Sequence, residues 1–307
     1  MTTVVCVPDQ GARGLLQAGL IPAEVEVVVW DGTGEPPDGI ERTTFLVPPV
    51  DDVRPLPAYW ADMPGLQVVQ LTTAGVEEYV GRIPDGVALC TARGVHGPAV
   101  AELVALFVLA TRRRLPHFLD AQRAGRWDLV EGADLEGLDV VVLGAGDLAE
   151  QTARRLAPFG VHTRRVARHA RDGVHAMSEL PDLLPRADVV VLTLPLTDET
   201  EGLVDAEFLA RLHDGALLVN VARGRIVDTD ALLAELQSGR LHAALDVTDP
   251  EPLPDGHPLF AAPNTMVTPH AAGHIAQAGP RAFAFVREQL ARFVDGEPLA
   301  NVVSGAY

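Results

Sequence analysis

Short and nearly continuous apolar runs punctuate the first part of the chain. "TVVCV" (3–7), "VEVVVW" (25–30), "TTFLV" (43–47), "LQVVQL" (66–71) and "GVALC" (86–90) are rich in β-branched residues and read as strands. Several lack the alternation of a sheet with one wet face, which predicts parallel strands buried on both faces. Helical patterns at 10–19 and 56–64 fall between them, so residues 1 to about 95 read as one α/β unit. "HGPAVAELVALFVLATRRRL" then predicts a long helix with Pro98 near its first turn. Its most apolar stretch, Leu103–Ala110, is too short to cross a bilayer. Arg112, Arg113 and Arg114 complement the dipole at its end and need no ligand to explain them.

The middle of the chain repeats strand and helix more regularly. Strands are predicted at 139–143, 161–166, 188–193, 216–221, 242–246 and 265–268, with helices at 147–158, 205–213 and 229–239. Asp205 can cap the second of these helices, and Gly215 follows it as a stop signal. Such alternation predicts a doubly wound parallel sheet. The last apolar pattern, "GPRAFAFVREQLARFVDG", is an amphipathic helix expected to cross back onto the first unit. The expected division is therefore 1–96 with 282–307, and 97–281.

Charge narrows the partners. The 307 residues carry a formal net charge of −18, and all 24 basic residues are Arg. So acidic a chain suits neither a nucleic-acid backbone nor an anionic membrane surface, and neither is expected as a partner. The lack of Lys excludes Schiff-base chemistry through a lysine. Cys6 and Cys90 lie far apart, form no C-x-x-C, and read as small buried hydrophobes. "MTTVVCVPDQ" lacks the basic and apolar regions of a signal peptide, so a cytoplasmic location is expected.

"VVVLGAGDLAEQTARRLAPFG" has the order strand, glycine turn, helix. Gly144 permits the tight turn, and Gly146 lets a pyrophosphate approach the backbone at the helix N-terminus. Ala149 replaces the third glycine usual in such turns. The next strand ends in Ala167-Arg168, with Arg171 nearby, where an acidic residue would normally accept the adenosine ribose hydroxyls. A guanidinium there pairs with a ribose phosphate, so NADP(H) is expected in preference to NAD(H). A plain strand–turn–helix with solvated arginines is the alternative.

Three later stretches place polar groups just past predicted strands: Arg223 in "NVARGRIVD", Glu251 in "LDVTDPEPLPDGHPLF" and His270 in "MVTPHAAGHIAQ". Side chains beyond the carboxyl ends of such a sheet line its ligand crevice. Each could also be a surface or capping residue. His270 and His274 stand four apart, but no third ligand and no H-E-x-x-H accompanies them, so no metal is expected. The three serines include none in G-x-S-x-G.

With these stretches in order, the chain resembles the D-isomer-specific 2-hydroxyacid dehydrogenases. The likeness rests on "VVVLGAGDLA", "LPLTDET", "NVARGRIVD", "AALDVTDPEPLPDGHPLF" and "TPHAAG", together with "LTTAGVEEY" and "ARGVHGPAVAE". It implies two doubly wound, Rossmann-like and flavodoxin-like parallel-sheet domains with an interdomain active-site cleft. The terminal parts would bind a small 2-keto or 2-hydroxy acid, and the middle would bind the dinucleotide. The resemblance makes Arg223, Glu251 and His270 the catalytic trio and Ala74-Gly75-Val76 the carboxylate loop. It gives cofactor contacts to Gly144, Gly146, Asp147, Leu148, Arg168, Pro195 and Asp246, the last against the nicotinamide carboxamide. It also implies a homodimer through the cofactor domain. Thr248 stands for a frequent aromatic, and Arg225 brings a charge where a small residue or proline is common. Glyoxylate or hydroxypyruvate reduction is the default expectation. The alternative is a nucleotide-sensing, corepressor-like binding protein, and formate dehydrogenase is a more distant third.

Overall fold

A computed structural model describes residues 2–49 and 56–303. The chain forms two compact units, one from Met1–His96 with Ala276–Tyr307 and the other from Gly97–Ile275.

The first unit is built on β1 (Thr3–Val7), β2 (Val25–Val29), β3 (Thr43–Leu46), β4 (Val68–Gln70) and β5 (Ala88–Cys90). They pair in the order β2-β1-β3-β4-β5, and every pairing is parallel. Helix α1 (Gln10–Gln17) starts at Asp9, whose side chain accepts the Ala12 N–H at 2.7 Å, and α2 (Leu56–Asp62) precedes β4. The continuous apolar reading of β1 is explained by what covers it. Val4 and Cys6 pack into one hydrophobic cluster, and Val5 and Val7 pack into another. Both cysteine thiols are buried, and burial pushes them up to about 12 at Cys6 and about 11 at Cys90.

The second unit opens with α3 (Gly97–Arg112) and α4 (Leu115–Arg123). Its strands are β6 (Asp139–Leu143), β7 (His162–Ala167), β8 (Val174–Ala176), β9 (Val189–Leu192), β10 (Leu217–Asn220), β11 (His242–Leu245) and β12 (Thr265–Val267). Their order is β12-β11-β10-β9-β6-β7-β8, again all parallel. Val141, Leu143, Val190 and Leu192 face one core, while Val140, Val142, Val189 and Val191 face the other. Each such side chain contributes about 1.5–3 kcal/mol when fully buried, so polar residues are unwelcome in these central strands. Helices α5 (Asp147–Leu156), α6 (Leu180–Leu183), α7 (Ala206–Ala210) and α8 (Thr229–Gln237) connect them. Asp205 and Asp228 cap α7 and α8 by accepting the Phe208 and Ala231 N–H groups at 2.8 and 3.0 Å. Helix α7 ends earlier than the pattern predicts, so Gly215 lies beyond it, in a turn with φ of 83°. Among the described residues no helix is long and apolar enough to cross a membrane.

The chain then returns to the first unit as α9 (Ala278–Val294). Gln289 fixes it there: its amide donates to Gln70 Oε1 at 2.9 Å and to the Ala300 carbonyl at 2.8 Å, and its oxygen accepts the Ala300 N–H at 2.9 Å. A fully buried amide whose groups are all partnered costs little and fixes register. The second boundary falls at 275/276 rather than 281/282 because the first turn of α9 already belongs to the first unit, where Gly279 lies against Leu15.

Candidate active site

The sheet of the second unit places the candidate groups. β6 is flanked by β9 and β7, the point at which strand order reverses. Ligands of open α/β sheets bind past the strand ends there. Gly144 follows β6 with φ of 129°, and a Cβ on it would sit 2.2 Å from Thr193 Oγ1. Only glycine fits that position. A Cβ on Gly146 would meet nothing within 4 Å, so the open side of the turn lies over the start of α5. The first amides of a helix lack intrahelical acceptors, and the dipole there favours an anion. A turn closed on the protein side at Gly144 and open at Gly146 fits a pyrophosphate held by the amides of Asp147 and Leu148. The third-glycine position, Ala149, is buried in the core at 1% exposure, so its methyl is accommodated. The Asp147 carboxylate is directed elsewhere, against Gly97 and Gln151. What that residue can offer a nucleotide is therefore its N–H.

Arg168 stands just past β7 and forms an ion pair with Glu199, which lies past β9. Arg171 donates to the carbonyl of Ala145, within the glycine turn, at 2.9 Å. Pro195 lies in the same post-β9 loop, and its carbonyl accepts the Thr200 hydroxyl at 2.7 Å.

Arg223, Glu251 and His270 come from the loops after β10, β11 and β12, three adjacent strands. His270 Nδ1 lies 2.5 Å from Glu251 Oε1. Hydrogen bonding to Glu251 is the main force raising the His270 pKa above its ordinary value; burial opposes it, and the charges of Glu251 and Asp246 reinforce it. The same bond holds Glu251 below the usual carboxylate range, aided by a Thr248 N–H and the charge of Arg223. Arg223 acts electrostatically on both partners, so the trio shares one field. Its guanidinium also donates to the Ala222 carbonyl at 2.7 Å.

Asp246 anchors this group. Only 2% exposed, its carboxylate accepts the Thr268 hydroxyl at 2.5 Å and the N–H groups of Ala271 and Ala272 at 2.8 and 3.0 Å. Its carbonyl accepts the His270 N–H at 2.8 Å. His270 itself takes a left-handed backbone with φ of 51°, uncommon for a non-glycine residue. The Asp246 contacts on either side hold that conformation in place.

Sequence reasoning missed three supports. Asn220, 1% exposed, donates to the Arg223 carbonyl at 2.9 Å and accepts the Ala222 N–H at 3.0 Å, which shapes the turn that presents Arg223. Gly224 packs so closely that a Cβ would lie 1.8 Å from the Thr248 carbonyl oxygen. Thr268 bridges to Asp246. A buried Asn at a strand end was the one readable signal. The unusual Arg225 turns to Glu201 and pairs with it at the surface. His270 and His274 do not share a helix, and no group of three or more His, Cys, Asp or Glu able to hold a metal occurs among the described residues.

In the first unit, Ala74-Gly75-Val76 follows β4. The Thr73 carbonyl accepts the Ala92 N–H at 2.7 Å, and His96 Nε2 is bonded to the Thr72 carbonyl at 2.7 Å. The Val76 N–H donates to the Glu77 carboxylate at 2.9 Å.

Residues 105–272 match the family description "D-isomer specific 2-hydroxyacid dehydrogenase, NAD binding domain". The human glyoxylate reductase/hydroxypyruvate reductase is 31% identical over 295 residues, spanning 86% of this chain and 85% of its own. A solved D-isomer specific 2-hydroxyacid dehydrogenase from Xanthobacter autotrophicus Py2, in complex with NADPH and MES, superposes with a TM-score of 0.83 at 34% identity, covering 99% of this chain and 98% of that one. An NADPH-dependent glyoxylate/hydroxypyruvate reductase from Sinorhizobium meliloti, solved with NADP and sulfate, gives 0.82 at 26% identity over 99% and 98% of the two chains.

Proposed function

The chain belongs to the D-isomer specific 2-hydroxyacid dehydrogenase family, enzymes that carry out NAD(P)-dependent oxidoreduction of small 2-hydroxy and 2-keto acids, and from that premise we propose that it reduces a small 2-keto acid to the D-2-hydroxy acid, or runs the reverse, with NADP(H) preferred. The observation that carries this reading is the 2.5 Å contact between His270 and Glu251 within the field of Arg223.

Bound nicotinamide supplies or accepts the hydride at C2. The chain's own residues do the rest. With Nδ1 committed to Glu251, Nε2 of His270 is the ring atom that passes a proton to the substrate oxygen. Glu251 favours the imidazolium, which keeps the acid loaded near neutral pH. The Arg223 fork takes the substrate carboxylate and polarises the carbonyl. Asp246 holds the turn that carries His270 and lies where the carboxamide of the nicotinamide is expected.

Arg168 and Arg171 support the NADP(H) preference, because β7 ends without a carboxylate to repel a ribose phosphate. The NADPH-bound and NADP-bound relatives agree with it. Trp127 and Leu129, at 102% and 85% exposure on the second unit, support association of two copies through that unit.

The experiment is purified protein with NADPH against NADH and a panel of 2-keto acids headed by glyoxylate and hydroxypyruvate, followed by nicotinamide absorbance and chiral analysis of the product. Turnover to the D-acid with NADPH favoured is the expected result. Tight nucleotide binding without turnover across the panel would overturn it in favour of a sensor.

A further inference from the structure

The loop after β9 carries a carboxylate directed at the cofactor side of the sheet, and nothing in the hydride-transfer chemistry uses it. β9 and β7 flank β6, so the ion pair between Glu199 and Arg168 links the loops that follow the two strands on either side of β6, whose own loop is the glycine turn. Arg171 is tied to the same turn through the Ala145 carbonyl. Glu199 therefore neutralises the guanidinium best placed to meet a phosphate on the adenosine ribose. It also brings to that place the hydrogen-bond acceptor that the end of β7 lacks. Both side chains are largely exposed, at 69% for Arg168 and 64% for Glu199, so the pair can open at small cost.

We propose that Glu199 tempers cofactor choice: it competes with the ribose 2′-phosphate of NADP(H) for Arg168 and offers its carboxylate to the ribose hydroxyls of NAD(H). The consequence is a site that accepts both nucleotides with a moderated preference. Removing the carboxylate frees Arg168 and sharpens selection for the phosphorylated form. This inference rests on the reading of Arg168 as the phosphate partner.

The test measures binding, apart from turnover. The full chain and its Glu199→Gln variant are titrated calorimetrically with NADP+ and with NAD+, without substrate. The ratio of the two dissociation constants, NAD+ over NADP+, is expected to rise about twofold to fivefold in the variant, the scale of one exposed ion pair. The gain should shrink at high salt. In an Arg168→Ala background the same substitution should raise the ratio less, because only the contact of the carboxylate with the NAD(H) ribose is then lost. An unchanged or lowered ratio on Glu199→Gln, or an equal rise in the Arg168→Ala background, overturns the proposal. Arg168→Ala alone separates the two readings. If it fails to lower the ratio, the phosphate-partner reading falls. If it lowers the ratio while Glu199→Gln does not raise it, only the role of Glu199 falls.

Discussion

His270 Nδ1 and Glu251 Oε1 stand 2.5 Å apart, although 19 residues separate them in the chain. The pair holds the imidazole charged above its ordinary range. In the reducing direction the loaded acid is the imidazolium, so the rate should fall as pH rises through the raised pKa. The reverse reaction needs the neutral ring and should rise over the same interval. Glu251→Gln removes the largest cause of the upward shift and should move both limbs to lower pH. Profiles of kcat/KM between about pH 5 and pH 9 check this. A limb that stays in place in the variant would mean that another group titrates. His270→Ala should lower kcat by about a hundredfold to ten-thousandfold in either direction.

Arg223 is asked to bind the substrate carboxylate and to stabilise charge on the reacting oxygen. Arg223→Ala should therefore raise KM and lower kcat together, with kcat falling by about a hundredfold or more. Arg223→Lys should recover little, because a point charge cannot reproduce a two-toothed contact. Nucleotide binding, measured by calorimetry, should stay close to that of the parent. Ordinary activity in folded Arg223→Ala protein would remove this residue from the chemistry.

Two glycines separate stability from binding. A Cβ on Gly224 would press 1.8 Å from a backbone oxygen, so the loops carrying Arg223 and Glu251 would have to part. Gly224→Ala should lower stability by about 1–3 kcal/mol and reduce activity with it. A Cβ on Gly146 meets only open space. Gly146→Ala should melt like the parent yet bind NADP+ more weakly, because the methyl would occupy the approach to the turn. Thermal melts paired with nucleotide titration distinguish the two, and a normal affinity in Gly146→Ala would exclude this face of the turn as the cradle.

The legible parts of the chain are those whose signal is local. β6 and β9 read as strands because the runs Val140–Leu143 and Val189–Leu192 are apolar on both faces, as a doubly covered sheet requires. β8 escaped notice because three residues at a sheet edge carry no period. α4 escaped because Arg114, with φ of 57°, breaks it from α3, and its Leu115 and Leu119 stay 41% and 40% exposed. The trio of the site was legible as polar residues set just past apolar runs. Its supports were not, since Gly224 matters only through Thr248, and Thr268 only through Asp246. Those are loop-to-loop contacts that no window of sequence displays. The ion pair of Arg168 with Glu199 is of the same kind.

Asp246 permits a prediction that a purely cofactor-binding role would not make. Oδ1 accepts the Thr268 hydroxyl and the Ala271 N–H, while Oδ2 accepts the Ala272 N–H. An asparagine can keep one oxygen for the first two donors but must then turn its NH2 toward the third. Two donors would face each other in a place that is 2% exposed. Such a buried mismatch costs about 1–3 kcal/mol. The Ala271–Ala272 backbone would shift to relieve it, carrying His270 away from Glu251. Asp246→Asn should thus melt at lower temperature, and its falling pH limb in the reducing direction should move to lower pH, as in Glu251→Gln. The shift has a second source, because the charge of Asp246 itself helps to raise the His270 pKa. Weaker nucleotide binding with an unmoved melt and an unmoved pH limb would show instead that this carboxylate serves the cofactor alone.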